Sequence, residues 1–294
     1  MDIKEIRSLF PITKQTIYLN SASQAPLNTL VNDKLQAYLK SELNFVDKKG
    51  FNRDDIRIPL SKILGGCPEE YALTTSTGVG LGMIAQGIDF NKGDNIILPE
   101  KEHWNNSFPW LNLESLGVEI RFAKLNEDAS IDPRAIEELI DHNTRVVAVA
   151  AVRFNSGFRP NLSKISEIAH SKNALFIVDA AQGAGMVPID VVKDGIDIMA
   201  GCGFKWLLGM HVTGVLYVSN RVVNKIQPVL PGMYAVEIAY DTISYYEYDR
   251  KFETGTLAYS LFTAWSAGLE LLLHIGVHNI YKKTEKKNTK KISR

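Results

Sequence analysis

The chain has 294 residues, 45% of them apolar and 22% charged, the balance of an ordinary globular protein with room for one large domain or a large and a small one. Lys plus Arg and Asp plus Glu number 33 each, so no global charge draws the chain to nucleic acid or to an anionic membrane. Two cysteines, Cys67 and Cys202, make neither a disulfide scaffold nor a cysteine zinc cluster and suit a reducing cytoplasm. The opening MDIKEIRSLF lacks the basic start and apolar core of a signal peptide, and no apolar run is long enough to span a membrane. A soluble, cytoplasmic protein is the expectation.

Along the chain, two kinds of segment alternate. Gly78–Gly87 has helical spacing, and Asn95–Pro99 is a short β-branched run that predicts a strand. A helix over Trp104–Leu116 and a strand over Val118–Phe122 follow. Asp132-Pro133 reads as an N-cap with proline at the first helical position, opening a helix to Ile140. Strands are expected at Arg145–Ala151, Ala174–Asp179, Ile196–Ala200 and Gly214–Val218, and helices at Leu162–Ser171 and Leu261–His274. Near-continuous apolar strands belong to sheets buried on both faces. The alternation predicts βαβ units and therefore an α/β fold with a mainly parallel sheet. Ligands of such sheets sit at the carboxyl ends of the strands. The final stretch, 281–294, carries seven basic residues and one acidic one; its composition predicts a basic disordered tail.

Four motifs carry groups that chemistry could use, three of them at predicted strand ends. Thr74-Thr-Ser-Thr-Gly78 precedes a helix, where hydroxyls and free N–H groups either cap the helix or bind an anion. Glu102-His103-Trp104-Asn105-Asn106 offers rings that could stack on a flat ligand. Asp179-Ala-Ala-Gln182 ends an apolar strand in a carboxylate, either an N-cap or an anion facing a ligand. Cys202-Gly-Phe-Lys205-Trp206 sets a lysine among apolar and small residues; the plain alternative is a surface lysine, but a desolvated lysine can form a Schiff base. Asp179 precedes Lys205 by one βαβ-sized step, which places both at neighbouring strand ends. A carboxylate beside a pyridine nitrogen and an amine on an aldehyde are the two groups pyridoxal-phosphate (PLP) chemistry needs. Gly78-Val-Gly80-Leu-Gly82 lacks the G-x-G-x-x-G spacing of a dinucleotide turn, and no P-loop occurs.

As an ordered set these motifs resemble the class V aminotransferases, the group of cysteine desulfurases, kynureninase and isopenicillin-epimerase-like proteins. The resemblance covers roughly residues 15–280 and implies a PLP-binding large domain at 21–260, after an N-terminal segment at 1–20, with a seven-stranded-type sheet. It implies that Lys205 forms the Schiff base and acts as general base. Asp179 would meet the pyridine nitrogen, Gln182 the ring's phenolic oxygen and His103 the ring face. Ser76, Thr77 and Gly78 would form the phosphate turn, with Thr256 of Phe252-Glu-Thr-Gly255-Thr256 reaching a partner's phosphate across a homodimer. The substrate would be a small amino acid, with no nucleic acid and no membrane involved.

Departures from the family pattern are visible. Phe204 stands where relatives often have histidine. The family's asparagine near Arg153–Gly157 is placed only loosely, on Asn155. Helix 261–280 leads toward a small C-terminal domain that is largely missing before the tail, together with its substrate-binding arginine and any desulfurase cysteine. Transamination, elimination, side-chain cleavage and racemisation share the remaining parts. The alternative is a catalytically inactive remnant that still binds PLP.

Overall fold

In the computed structural model of the chain, residues 2–44, 51–239 and 242–292 are described. The elements run α1 (Ile3–Ser8), α2 (Thr29–Asn44), α3 (Asp54–Leu64), β1 (Tyr71–Thr74), α4 (Thr77–Gly87), β2 (Asn95–Pro99), α5 (Trp104–Leu111), β3 (Glu119–Ala123), α6 (Pro133–Glu137), β4 (Thr144–Ala150), α7 (Leu162–Ser171), β5 (Leu175–Asp179), β6 (Ile198–Cys202), β7 (Gly214–Val218), β8 (Val236–Ala239), β9 (Thr242–Tyr245), α8 (Tyr259–Ile275) and α9 (Val277–Ile292). Seven strands form one sheet in the order β1-β7-β6-β5-β4-β2-β3. The strands from β6 to β3 pair in parallel, and β7 runs antiparallel to both β1 and β6. Strands β8 and β9 form a separate hairpin.

Alternate residues of each strand feed two different cores. Val147, Val149, Phe176, Val178 and Met199 join α3, α7 and α8 on one face. Ile96, Leu98, Val146, Ala148, Ile177 and Ile198 join α4 and α5 on the other. Both faces are buried, so the strands read as unbroken apolar runs.

The crossover after β2 carries α5, whose Trp110 packs on the second core. The crossover after β4 carries α7, whose Leu162 and Ile165 pack on the first. Neighbouring strands therefore send their connections to opposite faces, and a crevice opens between their carboxyl ends, the usual ligand position in such sheets.

Three outcomes differ from the sequence expectation. Strand β1, the helices α2 and α3, and the β8–β9 hairpin carry too short or too mixed a pattern to declare themselves. The helix expected at 261–280 is two helices, α8 and α9, divided at Gly276, whose φ of 80° suits glycine. The stretch from 281, expected to be disordered, is instead the body of α9 up to Ile292; Ser293 and Arg294 lie outside the described residues. Lysine is a good helix former, and Ile280 and Tyr281 dock the helix on the main core. The composition of 281–294 alone omits Ile280 and the turn before it.

The segment after the hairpin is pinned by Glu253, 1% exposed. Its carboxylate accepts from Arg57 Nη2 at 2.8 Å, from Arg53 Nε and from the Leu73 N–H of β1 at 2.9 Å. No single helix among the described residues is long and apolar enough to cross a membrane.

Candidate active site

A cleft of about 560 Å³, open to solvent on one side, lies over the carboxyl ends of β2, β4, β5 and β6. Ser76 and Thr77 at the start of α4, His103 after β2, Phe154 after β4, Asp179 and Gln182 after β5, and Cys202 and Lys205 at the end of β6 all line it. The sheet thus brings together six of the eight residues singled out from sequence. Gly78 lies outside the cleft wall. A Cβ there would sit 3.1 Å from the Asn105 side chain, which would have to give by a few tenths of an ångström. Thr256 is exposed and does not line this cleft.

Asn155 is exposed and points no atom into the cleft; the neighbouring Phe154 forms the wall there. That corrects the loose placement of Asn155. The turn closed by Arg153 N–H on the Phe158 carbonyl, and Gly157 N–H on the Arg153 carbonyl, carries Asn155 to its tip, while Phe154, 47% exposed, lines the cleft.

Asp179 is 4% exposed, and among the described residues its carboxylate accepts one hydrogen bond, from the Ala181 N–H at 2.8 Å. Burial pushes its carboxyl up to about 6, against the opposing pull of the Ala181 N–H and the Lys205 ammonium. His103 is pushed down from the usual imidazole value, first by burial and then by Lys205. Its Nδ1 accepts from the Asn105 N–H at 3.1 Å as the N-cap of α5, so the ring is neutral with its proton on Nε2. Lys205 acts on both residues and so faces the space between them. Its Nζ lies 5.9 Å from the Phe204 ring centre, and it makes no hydrogen bond or ion pair among the described residues.

Ser76 spends its hydroxyl on capping α4, accepting from Val79 N–H at 3.2 Å. Thr77 Oγ1 is buried, with no nitrogen or oxygen partner among the described residues and the Cys202 thiol beside it. With the positive end of an 11-residue helix behind it, this turn is a cradle for an anion. A side chain at Gly214 would approach Ser76 N within 2.8 Å, so β7 leaves room for the turn. Gln182 bridges two other segments: Nε2 donates to Ala22 O and Oε1 accepts from Trp206 Nε1, each at 2.8 Å. One Nε2 hydrogen stays free for a ring oxygen. Burial holds the Cys202 thiol up at about 11, so it stays protonated and is no nucleophile at neutral pH. Cys67 is exposed and does not line the cleft.

The profile of the family Aminotransferase class-V matches residues 17–294. A probable cysteine desulfurase of Methanothermobacter thermautotrophicus is 31% identical over 292 aligned residues, spanning 96% of this chain and 73% of that protein. An uncharacterised aminotransferase of Bacillus subtilis is 28% identical over 94% of this chain and 75% of its own length. The apo cysteine desulfurase of Thermococcus onnurineus superposes with a TM-score of 0.89 at 26% identity, covering 99% of this chain and 76% of that one.

The chain belongs to the class-V aminotransferase family. The cofactor of this family is pyridoxal 5'-phosphate, and the residues of this class-V cleft fit it. A buried Thr77 hydroxyl at a helix N-terminus suits the phosphate, and a buried carboxylate with one hydrogen bond suits a protonated ring nitrogen. An unengaged lysine amine suits the aldehyde carbon. Sequence reasoning missed Phe154 and the buried pair Arg153 and Glu102 beneath it. The signal was present: an arginine following the apolar run 146–152 needs a buried acceptor, and Glu102 stands at the neighbouring strand end.

Proposed function

We propose that the protein is a PLP enzyme that acts on the Cα of a small amino acid, with Lys205 as the amine that holds the cofactor and then moves the Cα proton. The observation that carries this reading is the meeting of Lys205, Asp179 and His103 in one cleft, beside the open N-terminus of α4. When bound, the cofactor supplies an electron sink that makes the Cα–H acidic. Asp179 is the group that would keep the ring nitrogen protonated; its buried carboxylate, with one hydrogen bond in this structure, would gain a second donor there. Thr77 and the α4 N–H groups would hold the phosphate, and the neutral His103 would cover one ring face. Lys205 Nζ, on a flexible four-carbon stem, would be the amine on the aldehyde and the base that takes the Cα proton.

A homodimer and a cytoplasmic location accompany this proposal: Thr256, exposed and away from its own cleft, would serve a second subunit's phosphate, and the two cysteines suit a reducing compartment. Which reaction follows proton removal is chosen by groups outside this set. Cys202, held protonated, is not a sulfur acceptor.

The test is to titrate the purified protein with PLP and record the visible absorbance, then repeat with Lys205→Ala. A lysine-dependent band in the wild type is expected; its absence overturns the cofactor role of Lys205. A panel of amino acids then separates an enzyme from a protein that binds PLP without turnover.

A further inference from the structure

Arg153 and Glu102 form an ion pair at 2.8 Å with both side chains 2% exposed, a depth that charged groups seldom reach. Arg153 belongs to the loop after β4 and Glu102 to the loop after β2, the two loops flanking the crevice. Nη1 of the arginine meets the carboxylate, while Nη2 donates to the backbone carbonyls of Glu100 at 2.8 Å and Lys101 at 3.1 Å. Lys101 sits at φ 54°, a left-handed conformation that a lysine keeps only when its surroundings enforce it. The second carboxylate oxygen accepts from Asn106 Nδ2 at 3.3 Å, in the first turn of α5. One guanidinium thus fixes the path of residues 100–106. An apolar pair of the same size could fill the space but could not direct two carbonyls and a carboxylate at once.

Two of the cleft's aromatic residues are the sequence neighbours of this pair. His103 follows Glu102, and Phe154 follows Arg153; their rings meet edge to face at 5.1 Å and 90°. Both line the cleft. We propose that Arg153 and Glu102 are positioning residues that lock His103 and Phe154 into a single aromatic wall, set in place before the cofactor ring arrives. The proposal rests on the PLP reading of the cleft for its ligand, but the locking itself belongs to the apo chain.

The experiment titrates PLP into the apo protein and measures hydrogen exchange over residues 100–106 and 153–158. Arg153→Met should raise the Kd for PLP at least tenfold and speed exchange in both loops. Glu102→Gln, the gentler change should Arg153→Met fail to fold, should raise the Kd threefold or more. In a His103→Ala background the effect of either change should shrink to under twofold, because the wall it positions is already gone; a merely structural role would give the same loss in both backgrounds. A folded variant that binds PLP within twofold of the wild type overturns the proposal, as does full additivity with His103→Ala. If the wild type takes up no PLP, the cofactor reading fails separately. Exchange then decides: acceleration confined to 153–158 on changing Arg153, with 100–106 unaltered, overturns the locking.

Discussion

At the amino-terminal edge of the sheet, Asp197 accepts from the Phe176 N–H at 2.9 Å, from His170 Nε2 at 2.7 Å and from Arg221 Nη2 at 3.1 Å. At the carboxyl edge of the adjoining strand, the Asp179 carboxylate accepts one hydrogen bond, from Ala181, and burial raises its pKa to about 6. The two aspartates are similarly buried, at 3% and 4% exposure, and lie at opposite ends of the same pair of strands. One is surrounded by donors that complete it, and the other is left short of them. Buried polar groups in folded proteins are ordinarily matched, so the incomplete edge is the one awaiting a ligand. Asp141 repeats the pattern of the matched edge: Arg121 first, and then Asn95, hold its carboxyl well below the usual carboxylate range.

The sharpest way to break this contrast is to remove the matched carboxylate. Asp197→Ala leaves the buried Phe176 N–H without its acceptor and should lower the unfolding free energy by about 4 kcal/mol, read from urea denaturation. PLP affinity of the folded fraction should stay within twofold of the wild type.

The unmatched carboxylate should behave in the opposite sense. The folded-state pKa of Asp179, about 6, lies above its ordinary 3.8. Its contribution to apo stability is therefore full below pH 3.8 and is lost as pH rises through about 6. Asp179→Asn removes that loss and should stabilise the apo protein by up to about 3 kcal/mol above pH 7, with the difference from wild type vanishing below about pH 4. The same change should weaken PLP binding. A variant less stable than wild type at pH 8 would mean that Asp179 has partners in the apo state after all.

The smallest expected effect concerns the thiols. Exposed Cys67 should react with a disulfide reagent at pH 8 within minutes. Cys202, with its pKa near 11, has about one thousandth of its population as thiolate at that pH and should react only on unfolding. Prompt reaction of both would show a cleft more open than described.

Much of the fold was legible in the chain. Strands β2 and β7 fall on the runs read for them, and β4 and β5 within a residue, because a strand buried on both faces must be apolar throughout. The edge strand β1, four residues long, and the hairpin β8–β9 escaped because such lengths carry no periodicity to count. Lys205, Asp179, His103 and Gln182 were legible as site candidates because each follows a predicted strand, and Ser76 and Thr77 because they open a predicted helix; each bears the group that its chemistry requires. The identity of the wall residue was not: Phe154 and Asn155 are neighbours, and only the turn from Arg153 to Phe158 decides which one faces inward.

The sequence by itself determined the layered architecture and the chemical inventory of the cleft, since apolar runs and strand-end motifs are local properties of the chain. The tertiary structure decided which of those groups are completed and which are left waiting. Burial and hydrogen-bond partners come from residues far apart in sequence, as Arg153 and Glu102 do, and it is their convergence that sets the protonation of Asp179 and His103 and the helical fate of the lysine-rich end.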